Sequence, residues 1–176
     1  MLKDIDSALK LNKNELMLIL KDEASKVCIS HIMKASIFLS EDSKYVQKNY
    51  REEYLKSYTE AFITRLKVLK DDKEEYQGYL DDKEFHEALK LLGDQESQVK
   101  LGMGFDPNFF KIYKIMALYT TFILEESVHP PGTPFPGGFN VKFDGDKYIC
   151  PVKERQKDNP GAVCGFCIAE QDPDTV

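Results

Sequence analysis

The stretch that decides the fold is DPNFFKIYKIMALYTTFILEE, residues 106–126. It begins with Asp106 and Pro107, a pair typical of a helix N-cap followed by proline at the first helical position. The residues that follow are apolar on nearly every side of a helix. A helix without a polar face is normally enclosed by other helices, so this stretch predicts the central helix of a bundle.

Three further stretches before residue 128 carry apolar residues at helical spacing. Asn12 followed by Glu15 is typical of a capping box at the start of the first of them. The third is acidic and weaker because Gly78 interrupts it. The predicted helices are residues 13–39, 50–69 and 73–92. We therefore expect a mainly α protein in which residues 1–128 form a bundle of four to five helices.

The chain changes character near residue 128. Of its eight prolines and ten glycines, seven prolines and six glycines lie beyond that point, and such a composition favours turns and extended segments. Asp144-Gly145-Asp146 predicts a short β-hairpin of residues 140–143 and 147–150. A single helical turn is expected after Cys167. We expect residues 129–176 to be a small irregular module packed on the bundle, so that the two parts form one globular unit.

Three of the four cysteines lie in this module. Cys164 and Cys167 are separated by two residues, a spacing that lets both sulfurs reach one ion, and Cys150 ends a predicted strand upstream. In a reducing compartment, clustered cysteines are more often ligands or catalysts than disulfide partners. The pattern predicts a zinc site, with a redox dithiol or merely structural thiols as the alternatives.

A tetrahedral zinc site needs a fourth ligand. His129, at the junction of the bundle and the module, is the local candidate. Cys28 and His31 are a second possibility, because residues three positions apart lie on one face of the predicted first helix. Water is the third, and it would turn a structural site into a catalytic one.

Composition and missing motifs exclude several function classes. The net charge is −6 and the pI about 5.2, and the segment from His129 onward holds five basic against seven acidic residues, so nucleic acid is not an expected partner. No stretch has the length and apolarity of a membrane span or of a secretory leader, which makes the cytoplasm the expected location. Metalloprotease, phosphate-loop and serine-hydrolase motifs are absent.

The C-terminal stretch HPPGTPFPGGF…YICPVKERQKDNPGAVCGFCIAEQ resembles the signature of an archaeal protein family, found mainly in methanogens and known only as a domain of unknown function. The resemblance covers about 45 residues of the tail. It implies a shared site and an archaeal origin, and no reaction. The positions that match the signature are His129, Phe135-Pro136-Gly137-Gly138, Cys150-Pro151, Gln156, Cys164, Cys167 and Gln171.

Three hypotheses for function follow. The first is a metal-binding protein without catalysis, whose structural zinc holds the tail on the bundle and presents a surface to a protein partner. The second is a metal-dependent enzyme with an open coordination position, served by nearby polar side chains. The third is an iron–sulfur or dithiol redox protein. The polar groups for the second hypothesis are Gln156, Asp158, Glu170 and Gln171.

Overall fold

The computed structural model describes residues 11–175. The helices are α1 (Lys13–Ser25), α2 (Ile29–Asp42), α3 (Arg51–Tyr58), α4 (Arg65–Asp71), α5 (Asp82–Lys100), α6 (Pro107–Leu118) and α7 (Lys153–Gln156). The strands are β1 (Pro134–Phe135), β2 (Phe139–Asn140), β3 (Lys142–Phe143), β4 (Tyr148–Cys150) and β5 (Glu170–Gln171). The protein is therefore mainly helical with a small strand module near its C-terminus, as expected. Residues 1–10, where a secretory leader would begin, lie outside the described residues.

The central helix is α6. Asp106 caps it by accepting hydrogen bonds from the backbone N–H groups of Asn108 and Phe109, at 2.8 and 3.0 Å. Most of its side chains are buried, which confirms the prediction from its all-round apolarity. The helix continues as a π-helical turn, Tyr119–Ile123, and ends where Glu125 takes a left-handed φ of 54°, slightly earlier than predicted.

The single helix predicted over residues 13–39 is wrong, because the chain breaks between α1 and α2. Cys28 takes an extended conformation and starts α2, while Val27 is buried beside the break. Backbone carbonyl groups near the break accept hydrogen bonds from lysine side chains that are distant in the sequence. Lys111 Nζ donates to the carbonyl oxygen of Lys26 at 2.9 Å, and Lys70 Nζ donates to that of Val27 at 3.3 Å. No glycine or proline marks the position.

The helix predicted over residues 50–69 is confirmed as α3 and α4, which are joined without a break by a π-helical stretch, Thr59–Thr64. The helix predicted over residues 73–92 is displaced. Gly78 has a φ of +98°, and the chain around it pairs with the start of α1, where Leu80 N–H donates to the Leu11 carbonyl at 3.0 Å. Helix α5 begins only after Asp81, whose carboxylate accepts from Glu84 N–H at 2.9 Å.

The C-terminal module contains two small sheets. Strands β1 and β2 pair antiparallel, and β3, β4 and β5 form a second sheet in that order. The β3–β4 pair is the predicted hairpin, and β5 joins β4 in parallel, with Cys150 opposite Gln171. The single helical turn expected after Cys167 is present as a short 3₁₀ turn, Pro173–Thr175, which comes only after β5. The short helix of the module, α7, precedes the Cys164–Cys167 turn.

The module packs directly on the bundle. Val163 belongs to the main hydrophobic core, and Phe166 stacks on Phe122 with ring centroids 6.1 Å apart. Gln95 of α5 donates from its side-chain Nε2 to the carbonyl oxygens of Pro160 and Ala162, at 2.9 and 3.1 Å. None of the helices between residues 11 and 175 combines the length and apolarity that crossing a bilayer requires.

Candidate functional site

The three C-terminal cysteines come together where the module meets the bundle. Cys150 is buried at the end of β4, and Cys167 packs against the small apolar cluster that contains it. Cys164 is also buried, and Cys167 is half-buried. All three are free thiols. The structure thus places all three predicted sulfur ligands in one region, although they come from two separate segments of the chain.

The backbone is arranged differently around the cysteines of the two segments. The backbone N–H groups of Val152 and Lys153 lie close enough to the Cys150 thiol to lower its pKa, against the larger effect of burial. On the other segment, the N–H groups of Phe166 and Cys167 both donate to the Val163 carbonyl, at 3.2 and 3.0 Å, and form the turn that carries the two cysteines. Backbone N–H groups beside a sulfur, as at Cys150, stabilise a thiolate at a metal centre, whereas those of Phe166 and Cys167 serve to form the turn.

Lys153 ties the two segments together. Its Nζ donates to the carbonyl oxygens of both Cys164 and Cys167, at 2.6 and 2.5 Å. Because Lys153 follows Cys150 by only three residues, this one side chain fixes the end of β4 against the Cys164–Cys167 turn. It also places a positive charge beside the sulfurs, which favours the thiolate forms of Cys150 and Cys164.

Burial and mutual repulsion act in the opposite direction. Burial raises the pKa of Cys150 and raises the pKa of Cys164 to about 11, and repulsion between the neighbouring thiolates adds to both shifts. These thiols are therefore protonated at neutral pH in the absence of a cation. Raised pKa values are the reverse of what dithiol redox chemistry uses, since the thiolate is the nucleophile.

The metal-binding geometry itself is not formed. Between residues 11 and 175, no group of three or more His, Cys, Asp or Glu side chains is arranged so that it could hold a metal ion. The cysteines lie close enough together that their thiolate forms would repel one another. Their side chains nevertheless do not surround a common point at which an ion could sit.

His129 lies in an aromatic enclosure on the bundle side. Its ring packs against Tyr58 and Phe135, with centroids 5.3 and 5.8 Å apart, and burial lowers its pKa to about 4. Its Nε2 is 3.1 Å from the Tyr58 hydroxyl, within hydrogen-bond distance. Tyr58 in turn interacts with Tyr54, whose hydroxyl donates to Asp42 Oδ2 at 2.6 Å.

Tyr58 connects this enclosure to the cysteines. Its pKa is raised first by burial and then by nearby negative charge, to which Asp42, Cys164 and Cys150 contribute. His129 therefore belongs to a half-buried polar chain that runs through Tyr58 and Tyr54 to Asp42, and Tyr58 is the member whose pKa responds to charge on the cysteines. Tyr54 and Tyr58 were expected only as core residues at helical spacing, and no sequence signal marked them as polar connectors.

Cys28 and His31 are placed differently from the prediction. They do not share a face within one long helix, because Cys28 is the exposed N-cap of α2. Its Sγ lies 3.1 Å from Ser30 Oγ and 3.4 Å from His31 Nδ1, and the Ser30 contact is the main reason why its pKa is lowered. These polar contacts all lie within the first turn of α2 and do not involve the C-terminal module.

The polar residues considered for catalysis are mostly engaged in structural contacts. Gln171 accepts from Glu154 N–H at 2.9 Å and donates to Thr175 Oγ1 at 2.8 Å. Glu170 forms an ion pair with Lys147 at 2.7 Å. The Gln156 side chain accepts from Asn159 at 2.6 Å, and Asp158 is exposed. None of these contacts forms an acid–base pair beside the cysteines.

Fold and site together define a helical-bundle protein with a cysteine-bearing strand module at its C-terminus. The chain belongs to the family described as "Uncharacterized protein conserved in archaea (DUF2115)", which matches residues 12–172. This agrees with the resemblance of the tail.

Three archaeal proteins are similar to this chain over most of its length. A UPF0305 protein of Methanothermobacter thermautotrophicus is 42% identical over 93% of this chain and 99% of its own length, and a second one from that organism is 33% identical over 90% and 95%. A UPF0305 protein of Methanopyrus kandleri is 36% identical over 73% of this chain and 89% of its own length. No solved structure matches the fold.

Proposed function

We propose that this protein is a non-catalytic zinc-binding protein of the cytoplasm, in which the ion holds the C-terminal module together and against the bundle. The proposed ligands are Cys150, Cys164, Cys167 and His129. The observation that carries the proposal is the convergence of three thiols, two buried and one half-buried, from two chain segments beside Lys153. On this view residues 1–128 and 129–176 are two parts of one globular unit.

The charges around the cysteines support a divalent ion. Three thiolates and Zn²⁺ carry a net charge of −1, and the Lys153 ammonium group next to Cys164 and Cys167 balances it. Without a cation the thiols stay protonated, because burial and mutual repulsion raise the pKa values of Cys150 and Cys164. A bound metal reverses that tendency by deprotonating a coordinating thiol.

Metal binding would complete the fold of the module. The described residues contain no ready-made arrangement for a metal ion, so the three thiols and His129 would have to close around zinc as it binds. In such a system the binding free energy contributes directly to folding. His129 can ligate through Nδ1 while Nε2 keeps its contact with the Tyr58 hydroxyl, which would then orient the ring.

A structural role fits better than a catalytic one. Three thiolates donate strongly to zinc and make it a weaker Lewis acid, and Gln171 and Glu170 are occupied by structural contacts. A protein partner is proposed from the apolar side chains that the module leaves exposed. These are Phe139 (40%), Phe143 (48%) and Ile168 (41%).

Metal analysis of the protein purified without oxygen tests the proposal. We expect about one equivalent of zinc and no visible absorbance. Cys164→Ser should lose most of the metal, whereas Cys28→Ser, the matched control at the exposed cysteine, should retain it. His129→Gln should weaken zinc binding without abolishing it.

The same experiment distinguishes the alternatives. Iron together with broad visible absorbance would instead support an iron–sulfur protein. Absence of metal, combined with no uptake of added zinc by the reduced protein, would overturn the proposal. Equal zinc content in wild type and Cys164→Ser would also overturn it, because the ion would then be bound elsewhere.

A further inference from the structure

A second site candidate is the cavity between the end of α2, the last turns of α5 and the C-terminal module. Its volume is about 530 Å³, within the range of small-molecule sites, and most of its lining is apolar. Phe38 and Phe105 form one wall, and Pro160 and Gly161 of the module form part of another. Three polar side chains also line it, which are Asp42, Gln95 and Gln98.

Asp42 gives this cavity an unbalanced negative charge. Its carboxylate accepts a hydrogen bond from the Tyr54 hydroxyl, but no lysine or arginine within residues 11–175 forms an ion pair with it. Asp42 is also the last residue of α2, and that helix has no basic residue in its final turn. The chain continues from Asp42 into a 3₁₀ turn, Ser43–Tyr45, whose Lys44 pairs with Glu41, so the Asp42 carboxylate itself is the group that would attract a cation into the cavity.

The aromatic wall suits the same kind of ligand. The rings of Phe38 and Phe105 meet edge to face with centroids 6.4 Å apart, and Met103 beside them is 48% exposed. Aromatic faces attract ammonium groups, and the apolar surface around them favours a ligand that also has a hydrophobic body. An inorganic cation would gain little from such walls.

Gln95 fixes the module side of the cavity through its side-chain amide nitrogen. Its side chain is only 4% exposed, and its Nε2 is fully used by the carbonyl oxygens of Pro160 and Ala162. Its Oε1 is buried and has no hydrogen-bond partner. Because Oε1 is itself enclosed, the part of Gln95 in the site is to hold Pro160 and Ala162, and with them the module wall of the cavity, against α5.

We propose that this cavity binds a small organic ammonium ion with an aromatic or other apolar body. The ammonium group pairs with Asp42, and the body packs between Phe105, Phe38 and the module. None of the proposed zinc ligands lines the cavity, although Asp42 is linked to His129 through Tyr54 and Tyr58. Because Pro160 and Gly161 belong to the module, the bound ion bridges the module and the bundle.

Isothermal titration calorimetry with phenethylammonium tests the proposal, and 2-phenylethanol, its neutral analogue of similar shape, is the ligand control. We expect phenethylammonium to bind roughly ten times more tightly than the alcohol to wild-type protein, from the ion pair and the contact with the rings. Asp42→Asn should remove most of that difference while the Tyr54 hydroxyl retains an acceptor.

Glu41→Gln is the matched protein control. It removes the same charge one residue earlier, from an exposed side chain that pairs with Lys44 outside the cavity. Its affinity for phenethylammonium should stay within about twofold of wild type. Phe105→Leu, which preserves every charge, should weaken binding of the ammonium ion more than binding of the alcohol.

Three results would overturn the proposal. One is the absence of heat for phenethylammonium at millimolar concentration, and another is equal affinity for the ammonium ion and the alcohol. The third is equal weakening by Asp42→Asn and Glu41→Gln, which would show a general charge effect rather than a site.

Discussion

The Nζ of Lys153 donates hydrogen bonds to the carbonyl oxygens of both Cys164 and Cys167, at 2.6 and 2.5 Å. One side chain thereby fixes the end of β4 on the turn that carries the other two module cysteines. These hydrogen bonds hold the two cysteine-bearing segments together through backbone atoms and not through the sulfurs alone.

Lys153→Met should destabilise the protein by roughly 1–3 kcal/mol, because it removes two charge-assisted hydrogen bonds and keeps the length of the side chain. Urea unfolding followed by circular dichroism measures the change. The matched control is Lys157→Met, which removes a lysine that pairs only with Glu154 on the surface. It should change the stability by less than about 0.5 kcal/mol. Equal effects of the two variants would contradict the role assigned to Lys153.

The pH dependence of stability should report on His129. Burial lowers its pKa in the folded protein to about 4, whereas an unfolded histidine titrates near 6.5. As the pH falls from about 6.5 to 4, the unfolded chain binds a proton that the folded protein does not, so stability is lost in that window. The loss should reach roughly 3 kcal/mol at pH 4.

Urea unfolding of metal-free protein between pH 4 and pH 7 tests this expectation. His129→Gln should flatten the dependence, and the same replacement at His86, outside the aromatic enclosure, should retain it. A slope in His129→Gln as steep as in wild type would show that other groups cause it.

Thiol reactivity should separate Cys28 from the other cysteines. Cys28 is exposed and its pKa is lowered by hydrogen bonding to Ser30, whereas the pKa of Cys164 is raised to about 11. In metal-free folded protein at mildly alkaline pH, Cys28 should therefore react fast with iodoacetamide, and Cys150 and Cys164 should react slowly. Mass spectrometry of the alkylated peptides identifies the fast site. Persistence of the fast phase in Cys28→Ser would refute the assignment.

Replacement by alanine should change the stability in opposite directions at Gly93 and Gly78, although at both positions no heavy atom lies within 4 Å of the added Cβ. Gly93 lies in the interior of α5, so Gly93→Ala should stabilise the protein by about 0.5–1 kcal/mol. Gly78 has a φ of +98°, so Gly78→Ala should destabilise by roughly 1–2 kcal/mol through backbone strain alone. Thermal unfolding of both variants measures the contrast, and a shift of the same sign in both would contradict it.

Local signals predicted those parts of the fold that local interactions determine. Asp106 and Pro107 marked the start of α6 because capping involves only the neighbouring residues, and the hairpin turn at 144–146 was equally local. The break between α1 and α2 could not be predicted in this way. Its carbonyl groups are satisfied by Lys70 and Lys111, which are distant in sequence.

The same distinction applies to the candidate site. Cysteine spacing predicted that Cys150, Cys164 and Cys167 would lie in one region, and the structure places them there. The bridging role of Lys153 was not predictable, because it needs the β4–β5 pairing that brings Cys150 opposite Gln171. Position in the chain also could not show that His129 faces Tyr58, which lies on a helix 71 residues earlier.

X-ray absorption at the zinc edge, on reduced protein loaded with one equivalent of zinc, tests the central claim most directly. Our account predicts three sulfur ligands at about 2.3 Å and one nitrogen ligand at about 2.0 Å, with the nitrogen contribution from imidazole lost in His129→Gln. A spectrum with only oxygen and nitrogen ligands, unchanged in Cys164→Ser, would contradict it.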